Sequence, residues 1–206
     1  MQYTKWQKPR SIAQTISTFL LVGFSSTYFH LQLASACTQV YSLWSDSDRP
    51  TFVDSDDKPV ELGVKFRTDV DGEITAIRFY RAVPIDSGYT VSLWSATGQL
   101  LRSGVAVEGQ SPTPGWQTID LYPPVPIKAN QFYTASYYAS KGRYTVTENF
   151  FTNTGVDNGP LHALRDGEHG TSGVYTYSLG GGFPTQSYHG SNYWVDVKFK
   201  TTSNDH

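Results

Sequence analysis

A chain of 206 residues with a net charge of −2 and 17% charged residues is long enough for one ordinary domain with a real core. It is too weakly charged to track phosphates or to be held open by self-repulsion, which argues against nucleic acid as a partner and against global disorder. The 14 Tyr, 11 Phe and 5 Trp, set among 18 Gly and 11 Pro with a single Met, favour short strands and tight turns, so the expected class is all-β.

Residues 1–36 depart from that composition. Lys5, Lys8 and Arg10 form a basic start, an apolar run passes through Phe19, Leu20, Leu21, Val22, Gly23 and Phe24, and Ala34-Ser35-Ala36 supplies a small-x-small cleavage signal. These are the parts of a secretory signal peptide, so the expected location is exported: secreted, periplasmic or at the cell surface. The single cysteine, Cys37, follows the cleavage signal where a lipoprotein carries its lipid, although position 34 is Ala instead of the usual Leu. Membrane attachment is therefore expected only through an uncleaved leader or a lipidated Cys37. A lone cysteine forms no internal disulfide, so packing alone must hold the domain.

A polar, acidic lead-in occupies residues 37–58 and carries Asp46, Asp48, Asp54, Asp56 and Asp57. Five loop carboxylates suit a hard cation, but a solvated acidic segment explains them as well. Apolar residues then alternate at Val60, Leu62, Val64 and Phe66, which reads as a half-buried strand. A second run at 74–81 follows Thr68-Asp69-Val70-Asp71-Gly72, and a hairpin is the expected pairing. Further runs at 89–94, 99–107, 116–121, 132–138, 144–151 and 192–199 complete a set of short strands. Pro123, Pro124 and Pro126 are expected in a crossover after the strand at 116–121. The architecture is therefore a two-sheet antiparallel β-sandwich, jelly-roll-like, filling residues 42–200 with a tail at 201–206. The tetrapeptide SLWS occurs at 42–45 and 92–95, but its surroundings do not repeat.

Between Asn153 and His189 glycine is frequent, strands are hard to place, and three of the five histidines occur. A loop-rich segment of this length before the last strand is where function is sought. No G-x-S-x-G turn and no i,i+4 histidine pair is present, and Gly180-Gly181-Gly182 lies in no βαβ unit; the chain is not expected to be an enzyme and no cofactor is called for. Glu61 and Asp196 lie on the polar faces of the first and last strands. If those strands are neighbours, the two carboxylates form either a structural calcium site or ordinary pairs with Lys65 or Lys198.

The stretches PVELGVKFRTDVDGEITAIRFYR, GWQTIDL, GVDNGPLHALRDG, GVYTY and NYWVDVKF, in this order, resemble the bacterial exported domain family of unknown function DUF4082. The resemblance implies a β-sandwich found in exported proteins, often beside immunoglobulin-like modules, with no established activity.

The leading functional expectation is a non-catalytic module binding a polysaccharide or another cell-surface glycan or polymer. Sugar sites combine aromatic platforms with polar side chains. Asp157, Asn158 and His162 would supply polar contacts, with Tyr175, Tyr177, Tyr188 and Trp194 as platforms. The alternative is a structural or adhesion protein acting through protein contacts. A third reading, a glycan-active enzyme, would need Asp157 with Asp166 or Glu168 as an acid/base pair.

Overall fold

The computed structural model describes residues 39–81, 89–106 and 114–201. Residues 1–38, with the expected signal peptide and Cys37, and residues 82–88, 107–113 and 202–206 lie outside the described residues. The strands are β1 (Val40–Tyr41), β2 (Phe52–Val53), β3 (Val60–Thr68), β4 (Gly72–Arg81), β5 (Thr90–Ser95), β6 (Leu100–Val105), β7 (Gly115–Ile127), β8 (Phe132–Ala139), β9 (Thr145–Val146), β10 (Val156–Asn158), β11 (Leu161–Ala163), β12 (Gly173–Tyr177) and β13 (Val195–Thr201), with one short helix, α1 (Phe150–Asn153). The fold is an all-β sandwich. One sheet runs β1-β13-β4-β7; the other runs β10-β11-β3-β8-β5-β6, with β12 sharing the β3 edge with β11; β2 and β9 make a small separate ribbon. All pairings are antiparallel.

The period-2 alternation is what builds the core. Leu62, Val64 and Phe66 of β3, Ile77 and Phe79 of β4, Val91 and Leu93 of β5 and Val195, Val197 and Phe199 of β13 are all almost fully buried. Phe79 from one sheet stacks on Tyr137 from the other, with ring centroids 4.4 Å apart, so aromatic contact bridges the layers.

Four expectations about the strands are corrected. β3 and β4 do not form a hairpin: β3 pairs with β8, β11 and β12, whereas β4 pairs with β7 and β13. Each strand has one strongly apolar face, and placing them in opposite sheets buries both faces against each other, which side-by-side pairing would not do. The linker is instead tied down by Asn130 N–H to the Thr68 carbonyl at 2.7 Å and by Lys128 to Asp71 at 2.7 Å. The prolines after Leu121 do not end a strand; β7 runs through them, with a cis Tyr122–Pro123 bond and a register shift opposite Ile74/Ala76. β7 is the edge of its sheet, where a missing N–H breaks no second ladder. The run at 144–151 is split: β9 ends at Val146, Thr147 makes an isolated bridge to Asn192, and Asn149, with φ 59, turns the chain into α1. Finally, the region expected to be loop contains β10, β11 and β12. The two SLWS copies differ in structure, residues 92–95 belonging to β5 and residues 42–45 to no strand.

Two patches on the outer faces of the sheets are also covered. Residues 43–48 lie over the β13-β4-β7 sheet, where Arg78 contacts Asp46 at 2.7 Å, the Trp44 carbonyl at 3.2 Å and Asp196 at 3.0 Å. Its guanidinium sits 4.2 Å from the Trp116 ring centroid. The glycine run at 180–182 covers Glu61 on the other sheet: an added Cβ at Gly181, whose φ is +85, would stand 2.6 Å from Glu61 Oε2.

Candidate functional site

The hairpin β10–β11 forms because Gly159 takes φ 60 and Pro160 leads into the second strand. Positive φ and close approach both demand glycine here, since a Cβ would stand 2.5 Å from the Tyr41 ring. Leu161 and Ala163 anchor the hairpin in the core, whereas Leu164 is only half-buried. His162 binds Asp157 through Nδ1 at 2.5 Å and Asp69 through Nε2 at 2.6 Å. Asp69 also accepts a hydrogen bond from Arg67, and the bonds from His162 and Arg67 hold its carboxyl below the usual range. Asn158 Nδ2 donates to the Ser42 carbonyl at 2.8 Å. Asp157, Asn158 and His162 are thus joined to the β3–β4 linker and to the N-terminal segment: both His162 ring nitrogens, Asp157 Oδ1 and Asn158 Nδ2 brace the hairpin.

The other candidates divide. Tyr175, Tyr177 and Tyr188 line a cleft of about 360 Å³ together with Tyr144 and Tyr193. Trp194 is not a platform: it is 4% exposed, packs against Trp44 and Trp116, and donates from Nε1 to Thr147 Oγ1 at 3.0 Å. Its φ of 56 turns the chain just before β13, which draws the indole into the interior.

Tyr175 and Tyr177 sit on one face of β12, with ring centroids 5.6 Å apart. The wall continues edge to face from Tyr175 to Tyr193 at 6.1 Å and from Tyr193 to Tyr144 at 5.9 Å. Tyr188, half exposed, stacks on His189 at 3.8 Å. Burial lifts the Tyr144 and Tyr193 phenols well above the ordinary range, and burial followed by the bond to Asp56 raises Tyr177 to about 12. All three stay protonated at neutral pH, and Tyr144 and Tyr177 use their hydroxyls on Asp54 and Asp56.

The polar side of the cleft is built by the acidic lead-in. Asp54 and Asp56 line it, with Glu148 and Ser191. The 54–56 turn is fixed by Asp54 N–H to the Tyr144 carbonyl at 2.8 Å, Arg143 N–H to the Asp56 carbonyl at 2.6 Å and Asp56 N–H to Asp54 Oδ1 at 2.9 Å. Tyr177 donates to Asp56, and Tyr144 hydrogen-bonds Asp54. Ser191 is fully buried and its hydroxyl, although near enough to temper the rise in the Tyr193 phenol, makes no hydrogen bond of good geometry. The position of Ser191 depends on Gly173, where a Cβ would stand 1.6 Å from the Ser191 carbonyl oxygen.

The hairpin and the cleft are separate places. His162 stands opposite Arg67 on β3 and Tyr175 opposite Leu62, which at ~3.4 Å per residue puts these two points about 17 Å apart along the strand. Of the sequence candidates, only the three tyrosines converge. Asp54, Asp56, Tyr144, Glu148, Ser191 and Tyr193 were missed as a set; the density of tyrosine beside acidic turns was the available signal.

The paired carboxylates do not make a shared calcium site. Glu61 and Asp196 belong to strands of different sheets, each on the outer side of its own, because β3 and β13 face each other across the core and their polar positions point apart. Glu61 accepts from Ser136 Oγ at 2.5 Å and from the Gly182 N–H, and burial raises its pKa to about 7. Asp196 accepts from Leu43 N–H at 2.6 Å and Val197 N–H at 2.7 Å and meets Arg78; burial raises its pKa to about 6, against the pull of Arg78. Among the described residues no group of three or more His, Cys, Asp or Glu is arranged to hold a metal ion. Four of the five lead-in aspartates divide between places, Asp46 to Arg78, Asp48 to the Ser45 N–H and Asp54 and Asp56 to the cleft. Of the carboxylates weighed for acid/base chemistry, Asp166 accepts from the Ser172 N–H at 3.0 Å and Glu168 pairs with Arg165 at 3.3 Å.

Fold and site together define an antiparallel β-sandwich with a tyrosine-walled, acidic cleft at the end where β12, the β2–β9 ribbon and residues 188–193 meet. The chain belongs to the family described as "Domain of unknown function (DUF4082)", whose model matches residues 47–195. No curated protein matches it. No helix among the described residues is long and apolar enough to cross a membrane.

Proposed function

We propose that the chain is an exported, non-catalytic β-sandwich module that binds carbohydrate or another cell-surface polymer in the tyrosine cleft. One observation carries this reading: five tyrosines and three carboxylates, from parts of the sequence far apart, line one open cleft of about 360 Å³. A sugar presents apolar C–H faces and dense hydroxyls, and tyrosine walls with carboxylate acceptors are complementary to both. The volume lies within the ~300–1,000 Å³ range of small-ligand sites. The leader-like first 36 residues support export.

The test is binding to a broad panel of polysaccharides, followed by calorimetry on any that bind. Tyr177, 47% exposed, can be truncated with little effect on the core. Tyr177→Ala is expected to weaken binding about tenfold or more, matching the ~1–3 kcal/mol of a lost aromatic platform, with no change in melting temperature beyond a few degrees. His162→Ala is expected to leave the affinity unchanged. Absence of binding across the panel, or binding that depends on His162 and not on Tyr177, would sink the assignment. The runner-up, a structural or adhesion protein, is supported by exposed apolar residues such as Tyr122 and Leu179, at 90% and 88%; single exposed residues of this kind are ordinary.

A further inference from the structure

We propose that the natural occupant of the cleft is an amino sugar polymer, a saccharide with unacylated amino groups carrying positive charge. This rests on the reading of the cleft as a glycan site and names the class of glycan. A neutral sugar accounts for the tyrosine walls, and its hydroxyls would donate to the carboxylates, but three carboxylates with no basic residue in the lining favour an occupant that is itself positively charged. Asp54, Asp56 and Glu148 line the cleft, and no Lys, Arg or His is among its lining residues. The nearby basic residues stand at the margins, with His189 Nδ1 3.6 Å from Glu148 and Lys58 Nζ 6.0 Å from the Tyr177 ring centroid. Such a lining repels uronic acids and phosphate polymers and attracts ammonium groups.

The aromatic walls act in the same direction. A tyrosine face attracts a cation electrostatically, and the chain already places the Lys58 ammonium over the Tyr177 ring. An ammonium beside Asp56 would meet a carboxylate held in place by the Tyr177 hydroxyl and the Lys58 N–H, so little side-chain freedom remains to be lost on binding.

The experiment is calorimetry at low salt with three oligosaccharides of equal length: a β-1,4-linked glucosamine oligomer, its fully N-acetylated counterpart and the corresponding glucose oligomer. The glucosamine oligomer is expected to bind about tenfold more tightly than either of the others, with the advantage shrinking as salt is raised. Glu148→Gln and Asp56→Asn should each reduce that advantage, read as the ratio of glucosamine to glucose oligomer affinity within the same variant. Glu148 provides the safer variant, since Asp56 also anchors its own turn. Equal or weaker binding of the glucosamine oligomer, or a preference untouched by both variants, would overturn the amino sugar while leaving a glycan site standing. If neither these three nor any member of the wider panel bound, the glycan reading and this inference would fall together.

Discussion

Glu61 is a carboxyl group in an almost closed setting, 2% exposed, under the 180–182 glycine run, with Ser136 Oγ at 2.5 Å and the Gly182 N–H as its donors. Its folded-state pKa of about 7, against 4.5 when unperturbed, arises from desolvation that those two donors only partly offset. The folded state therefore holds a proton that the unfolded chain has released, and by linkage stability falls as pH rises. The contribution is fully present below about pH 4.5 and is lost by the time the pH has passed through about 7. At about 1.4 kcal/mol per unit, the part of this loss lying between pH 5 and 8 amounts to about 2–3 kcal/mol. Glu61→Gln keeps the shape and removes the titration, so its stability should lack that fall. Near pH 5, where the protonated acid and the amide are both neutral, the variant should match the parent or trail it by about 1 kcal/mol, because the amide NH2 cannot accept from Ser136 Oγ or the Gly182 N–H. By pH 8 it should be the more stable protein. Urea unfolding of both chains at pH 5, 6, 7 and 8 reads the difference. Asp196, raised to about 6, titrates in both proteins and drops out of the comparison. Profiles that run parallel between pH 5 and 8, within roughly 0.5 kcal/mol, would refute the account of Glu61 as a buried, desolvated acid.

Other substitutions test other parts of the structure. Asp196→Ala leaves Arg78 and the Leu43 and Val197 N–H groups without their carboxylate, and should cost about 3–5 kcal/mol in urea unfolding at pH 7; a loss under about 1 kcal/mol would show that the N-terminal segment is not held by this pair. His162→Ala should cost only about 1 kcal/mol, since its partners Asp157 and Asp69 are largely exposed. Hydrogen exchange should accelerate at Val156–Asn158 and not at Gly173–Tyr177, and uniform acceleration would contradict a local brace. Gly173→Ala drives a methyl into the Ser191 carbonyl and should destabilise by about 2–3 kcal/mol, with a shift in the chemical environment of Tyr193 seen by NMR; a stable variant with unchanged spectra would mean that β12 and residue 191 are not locked together.

The sequence by itself determined the class of fold, most strand positions and the family. Val60, Leu62, Val64 and Phe66 could take no other reading, because a period of two with β-branched and aromatic residues suits only a strand with one dry face. The same local logic located the Asn158-Gly159-Pro160 turn, whose geometry glycine alone dictates. Partnership was not legible. The short link between β3 and β4 fits a hairpin as well as a crossing between sheets, and what separates them is the burial of two apolar faces against each other, a property of the pair. Glu61 and Asp196 were correctly placed on polar strand faces, yet whether such a face meets water depends on segments more than 100 residues away: the 180–182 run over Glu61 and residues 43–48 over Asp196. Trp194 and Tyr193 are adjacent in sequence, and the backbone turn at Trp194 sends one indole to the core while the phenol beside it lines the cleft. The cleft itself joins residues 54–56, 144–148, 175–177 and 188–193. Tertiary structure alone decided that assembly, because the β2–β9 ribbon that brings the first two segments together is held by only two residue pairs, too short to leave any periodic trace in the sequence.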